Sequence, residues 1–365
     1  MADYRLRNYI PISGPATREP IQGDEPDLRV SLGFCPRWYH RRLGIDFGEK
    51  WHRDPVYRYA TLVRMKTALH EAFPELPQFR PRQVDGAEWR CATISGVYGI
   101  KFIPMLYGLG VQYRADDWPD NCPGEFLSKE ALARLEPFEV ADLPPMRDLL
   151  RQMDEIEAHY GQIEGYLNYQ GILNIALKLR GNDIFLDLYD DPDFAHHLFT
   201  HIAGTIARTA RLVQQRQRQS GFAADLLSMS NCVMNMVSPE IYREFVLPHE
   251  RALSGQFARF GIHTCNWNAT PYLHALRAID KMGYLDMGAM SDLRQARDLF
   301  PDARRAVFYS PVDLDQKTPA EILAWLRRIR EDYAPCDIVL ADIAETTEDW
   351  RVRQFLDAVA AALAE

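Results

Sequence analysis

The residues best equipped for chemistry in this 365-residue chain are His263 and Cys265, one residue apart in the run Phe260-Gly261-Ile262-His263-Thr264-Cys265-Asn266-Trp267-Asn268. On an extended strand, side chains two positions apart point to the same side. A neutral imidazole beside a thiolate is half of a tetrahedral zinc site. An isolated His-x-Cys pair is more often a core cysteine next to a hydrogen-bonded histidine. The pair therefore gains meaning only from the elements that carry it.

Those elements alternate. Apolar, strand-like runs fall at 28–34, 93–106 (one strand or two, split at Gly96 or Gly99), 163–169, 224–230, 261–265, 284–287, 306–309 and 338–341. Helical stretches separate them. Asp191-Pro192-Asp193 combines an N-cap, a first-turn proline and an acid at the positive end of the helix dipole, and predicts a helix up to Gly221. Ser238-Pro239-Glu240 opens another, through Ile241, Phe245 and Leu253. Thr318-Pro319-Ala320-Glu321 is a capping box whose helix shows Ile322, Leu326 and Ile329 on one face. A final helix is expected over 347–362. About eight strands in strand–helix alternation predict an α/β fold, a closed TIM-type (β/α)8 barrel over 28–365. Residues 1–27 read as an irregular N-terminal arm. Residues 55–145 exceed what one strand–helix unit needs, so the N-terminal third should hold an insertion covering one end of the barrel.

The totals exclude several classes. Lys and Arg number 42 against 51 Asp and Glu, a net charge of −9, which argues against nucleic acid as a partner. No 18-residue apolar stretch is present, so no membrane span is expected. Met1 to Asn8 lacks an apolar segment behind its charges and does not read as a signal peptide. Six cysteines in 365 residues make no disulfide framework and point to a reducing, cytoplasmic setting with free thiolates. No GxGxxG or Walker loop occurs, which removes the main reason to prefer a nucleotide-binding open sheet.

One segment ties the pair to a known family. Val237-Ser238-Pro239-Glu240-Ile241-Tyr242-Arg243-Glu244-Phe245-Val246-Leu247-Pro248, followed by Gly261-Ile262-His263-Thr264-Cys265, resembles the uroporphyrinogen-decarboxylase superfamily. Within it, the order and spacing look like the corrinoid-dependent methyltransferase branch. The resemblance extends over about 28–360 and implies a TIM-type barrel. It also implies Zn2+ held by His263, Cys265 and a later cysteine. The implied reaction moves a methyl group between a corrinoid (cobalamin) on a partner protein and a small thiol or folate-type acceptor or donor. Zinc would keep a thiol deprotonated near neutral pH and hold it in place.

The chain departs from that pattern where the later cysteine should stand, at Leu340-Ala341-Asp342-Ile343. Cys336 precedes that strand, at its wrong end. The candidates for the third ligand are Asp342, as an oxygen donor, and Cys232, which follows the strand at 224–230. Asn266 and Asn268 stand where Gly-Asn is expected, and Asn268 could order a loop or bind substrate. Asn231 and Asp286, at neighbouring strand ends, are further candidates for lining the site.

The alternative is a lyase of the decarboxylase branch, acting on a small acid or a tetrapyrrole. Its Arg-Gln-Ala-Gly-Arg segment is absent, the region reading Phe34-Cys35-Pro36-Arg37-Trp38-Tyr39-His40-Arg41-Arg42. Arg37, His40 and Arg41 nonetheless remain candidates for gripping a carboxylate or phosphate at the barrel mouth. His52 could join them, though an exposed helix start explains it more simply. Tyr98, Tyr107 and Tyr169 read as core or rim aromatics.

Overall fold

The computed structural model describes residues 10–14, 19–76, 79, 83–84, 87–88 and 93–365. The stretch Met1 to Asn8, much of the expected N-terminal arm 1–27, and Cys91 among the cysteines lie outside the described residues. Seven parallel strands form one sheet: β1 (Leu28–Phe34), β2 (Tyr169–Gln170), β3 (Leu226–Ser230), β4 (Arg259–His263), β5 (Met282–Gly288), β6 (Arg304–Tyr309) and β7 (Cys336–Ile343). Their order is β1-β7-β6-β5-β4-β3-β2, so the first strand pairs with the last. That is the neighbour relation of a rolled-up sheet.

Two of the expected strands are not formed as predicted. Over 93–106 only Thr93 takes part, in a single parallel bridge to Glu164. The chain then turns through three left-handed residues, Gly96, Tyr98 and Gly99, and enters the short helix Phe102–Leu106. A strand cannot run through consecutive left-handed turns, and an apolar run alone does not reveal them. Over 163–169 the ladder is delayed to Tyr169–Gln170, because Gly165 also has positive φ. A Cβ on Gly165 would sit 2.1 Å from Thr93 Oγ1. Among the described residues the parallel sheet has seven strands, and no ladder joins β1 to the Thr93 segment. Residues 55–145 include helices such as Pro55–Ala72 and a small antiparallel pair, Val111–Gln112 with Asp120–Asn121.

Strand alternation divides the apolar residues into two clusters. Leu226, Tyr284, Ala306, Phe308 and Val339 pack together on the inner face. Leu227, Phe260, Ile262, Leu285, Met287, Val307, Ile338 and Leu340 pack outward against the helices. The helix starts behave as local chemistry dictates. Asp191 accepts from the Phe194 amide at the head of Pro192–Gln219, and Thr318 and Glu321 close both halves of their capping box. No helix among the described residues is long and apolar enough to cross a membrane.

The amino-terminal end of the sheet is closed by charge. Asp337 at the start of β7 meets Arg29 of β1 at 2.5 Å and Arg304 of β6 at 3.0 Å, and Arg304 also reaches Glu25 at 3.0 Å. Asp337 and Arg304 are buried, so each compensates the other in a medium where a lone charge is costly. Asp337→Ala should therefore lower stability by about 3–5 kcal/mol, read from urea unfolding. Because this network lies at the far end from His263, binding at the carboxyl ends of the strands should be unchanged in the folded variant.

Candidate metal centre

At the carboxyl end of the sheet, the ends of β3 and β4 bring three donors together. Cys232, His263 and Cys265 place one sulfur, nitrogen and sulfur atom within 4.8 Å of one another. His263 Nε2 lies 3.0 Å from Cys265 Sγ. Two ligands at ordinary zinc distances stand about 3.5 Å apart on a tetrahedron, so the set has the scale and chemistry of a structural or catalytic ion site. The strand argument for His263 and Cys265 needs revision. β4 ends at His263, and Cys265 has φ of 56°, a left-handed conformation that turns its thiol back to the imidazole.

Asp286 organises this end. Its carboxylate lies 2.8 and 2.9 Å from His263 Nδ1, accepts from the Thr264 amide at 3.2 Å and accepts from Tyr284 Oη at 2.6 Å. The Thr264 hydroxyl donates to the Asp286 carbonyl at 3.0 Å. With Nδ1–H directed at the carboxylate, Nε2 is the nitrogen that faces the two sulfurs and the one that could ligate a metal once it loses its proton. Phe308 packs edge-on against the imidazole at 5.2 Å. Asp286, expected to line the site, lies at it with its oxygens engaged by His263, Thr264 and Tyr284.

Cys232 is held from behind. The Asn231 amide donates to the His263 carbonyl at 2.7 Å, which clips the end of β3 to the end of β4. The Asn231 side chain donates to Glu250 Oε1 at 2.7 Å, and Tyr242 Oη donates to Glu250 Oε2 at 2.6 Å. Gly171 makes room for this, since a Cβ there would fall 1.9 Å from Asn231 Oδ1. Asn231 therefore supports Cys232 from behind. Tyr242 lies in the Ser238–Pro248 segment, where the helix takes a π turn over Tyr242–Val246. Pro248 has no N–H and its ring crowds the carbonyl four residues earlier, so an ordinary α turn cannot run through it.

The remaining sequence candidates fall elsewhere. Asp342 stands outside the three-donor group, on a left-handed turn (φ 52°) with its amide donating to Ser13 O at 3.0 Å. Its carboxylate still interacts electrostatically with His263 and Cys265. Arg37 faces Asp116, Asp117 and Glu345 at 3.5, 3.4 and 3.9 Å, so its charge is already met. His40 is exposed and its Nδ1 lies 2.9 Å from Ile45 O, inside a turn, while Arg41 is solvent-exposed on the helix Pro36–Leu43. Asn268 caps a turn by accepting from the Thr270 amide at 3.0 Å. His52 is buried, not exposed, and its Nδ1 accepts from the Tyr98 amide. Tyr98 and Tyr169 are core residues as expected, and Tyr107 packs partly buried against His201.

The three donors shift one another's protonation, and Asp286 shifts theirs. Burial pulls the His263 pKa down, but the Asp286 charge and hydrogen bond outweigh it and raise the group to about 10. A hydrogen bond from Cys265 lowers the Cys232 thiol against the effect of burial, with His263 adding to it. Cys265, donating to Cys232 and buried, is pushed up.

Sequence reading did not find Tyr284, Phe308, Glu250 or Tyr242. Tyr284 had a signal, being two residues before Asp286 on the same strand face. Glu250 had a weaker one, a charge on the buried face of a helix that also carries Leu247 and Leu253.

Comparison with protein-family models returned no match, and neither did comparison with curated protein sequences. Among solved structures, the chain is similar to a methyltransferase from Methanosarcina mazei, with a TM-score of 0.66 and 14% identity over 94% of this chain and 95% of that one. At that identity the likeness establishes a shared fold.

Glu250 provides a pH-dependent test of the support behind Cys232. Burial raises its carboxyl to about 7, partly offset by the hydrogen bonds from Tyr242 and Asn231. A group raised above its unfolded value contributes stability that is complete below about pH 4.5 and is lost as pH rises through about 7. Glu250→Gln should remove about 2–3 kcal/mol of pH dependence between pH 5 and 8, measured by urea unfolding of both proteins across that range.

Proposed function

We propose that the chain is a zinc-dependent methyltransferase on a TIM-type barrel, of the corrinoid-dependent kind found in the uroporphyrinogen-decarboxylase superfamily. The observation that carries this reading is the Cys232–His263–Cys265 donor set with Asp286 behind the imidazole. The similarity in fold to a methyltransferase and the resemblance of the Ser238–Pro248 segment support it. Cys232 serves as the third ligand in place of the cysteine missing at Asp342.

Zinc held by these three residues would leave one position for a substrate thiol and keep that thiol deprotonated near neutral pH. The protein's own contribution is placement and charge. Asp286 fixes the His263 tautomer and strengthens Nε2 as a donor. Asn231, anchored by Glu250 and Tyr242, sets the height of Cys232. A corrinoid carried by a partner protein would supply or accept the methyl group, and the chain itself would then need no strong general base at carbon. A folate-type acceptor is the other member of this class. The decarboxylase alternative draws less support, because Arg37 is engaged by three carboxylates and His40 by a turn carbonyl.

Purified protein should bind one zinc per chain, quantified by metal analysis and chelator competition. Cys232→Ser, His263→Ala and Cys265→Ser should each abolish stoichiometric binding, and Asp286→Asn should weaken it about 10–100-fold. Zinc added to the metal-free protein should release protons, since thiol and imidazolium must deprotonate to bind. Methylcobalamin and a small thiol should give a zinc-dependent fall in the methyl-cobalt absorption. Folded protein without bound metal and without that transfer sinks the proposal.

A further inference from the structure

Cys232 and Cys265 hold equivalent places on adjacent strands. Ser230 of β3 is paired with His263 of β4, and each cysteine stands two residues beyond its own strand's member of that pair. The Asn231 amide donates to the His263 carbonyl at 2.7 Å, so the two chains are still tied at the last residue before Cys232. Neighbouring parallel strands run about 4.8 Å apart, inside the roughly 4.4–6.8 Å between Cα atoms that a disulfide spans. The left-handed backbone of Cys265 turns its thiol back toward the cluster, and the two sulfurs lie within 4.8 Å of each other. Rotation about the two Cα–Cβ bonds has to bring them to an S–S distance of about 2 Å, with the strand ladders left in place.

Both cysteines are free and half-buried, so a small oxidant can reach them. The other described cysteines are placed differently. Cys336 is buried at the amino end of β7, Cys35 follows β1 and lies 3.7 Å from a Glu345 oxygen, and Cys122 follows the short strand Asp120–Asn121. His263 does not depend on the sulfurs for its place, because Asp286 holds its Nδ1 from the other side.

We propose that Cys232 and Cys265 are a reversible redox pair, joined as a disulfide by hydrogen peroxide in the metal-free protein and restored by a dithiol reductant. One sulfur attacks a peroxide oxygen, the O–O bond breaks, and a sulfenic acid and one water form. The second sulfur attacks that sulfenic acid, forms the S–S bond and expels the hydroxyl group as a second water. The sulfurs lose two electrons, and both thiol protons end in the waters. A dithiol reverses the bond by exchange and is itself oxidised. The disulfide takes two of the three donors and leaves His263 alone, so oxidation dismantles the metal site and reduction rebuilds it. The pairing rests on the positions of the sulfurs; its consequence for zinc rests on the metal reading of the site.

The test uses full-length protein, treated with chelator and reductant, desalted, and exposed to hydrogen peroxide with and without zinc. Remaining thiols are capped with iodoacetamide and the tryptic peptides are mapped by mass. The metal-free protein should yield the peptide of Cys232 joined to that of Cys265, lost on treatment with dithiothreitol and retained in Cys35→Ser. Saturating zinc added before the oxidant should slow its formation at least ~10-fold, because only the metal-free fraction reacts. The oxidised protein should bind no zinc until it is reduced. If both cysteines are capped or become sulfinic acids without joining, or if either joins a different cysteine, the redox pair is overturned while the metal reading stands. If they join equally fast with zinc present, the pair stands and the metal reading fails.

Discussion

The hydrogen bond between His263 Nδ1 and Asp286 is the contact on which the rest of the site depends. It decides which imidazole nitrogen carries hydrogen and therefore which one faces the sulfurs. The same carboxylate takes the Thr264 amide and the Tyr284 hydroxyl, so it also fixes where the chain leaves β4. Only after that exit is fixed can the left-handed Cys265 return its thiol to the imidazole. Were Asp286 lost, the histidine, the turn and the thiol would each lose their reference together.

Around this contact the fold divides its labour by strand face and strand end. Outward residues of the sheet bury against helices and supply the apolar contribution to stability, which is roughly proportional to area removed from water. Inward residues at the amino ends form the Arg29–Asp337–Arg304–Glu25 network, and inward residues at the carboxyl ends form the donor cluster. The Ser238–Pro248 segment makes no direct contribution to the donors. Its π turn places Tyr242 so that, with Asn231, it holds Glu250, and Asn231 in turn carries Cys232. A motif conspicuous in the sequence thus acts on the site through two intermediates.

What could be read from the sequence was what local chemistry decides. The caps at Asp191, Ser238 and Thr318 are short-range interactions, and they start helices where their side chains predict. Cys265 was recognised beside His263, and Cys232 among the candidates for a third ligand, because strand ends in such a fold face one mouth. The misreadings were tertiary. Arg37 looked free because Asp116 and Asp117 lie some eighty residues further on. Residues 93–106 looked like strand because apolarity does not record that Gly96, Tyr98 and Gly99 turn left-handed. Asp286 was placed at the site, but its role depends on a partner from another strand.

The spacing of the donors has a mechanical consequence. Cys232, His263 and Asp286 follow or lie on three consecutive strands, β3, β4 and β5. Their separation is set by the β3–β4 and β4–β5 ladders and by the clip from Asn231 to His263. The cluster therefore keeps its dimensions for as long as those two ladders hold.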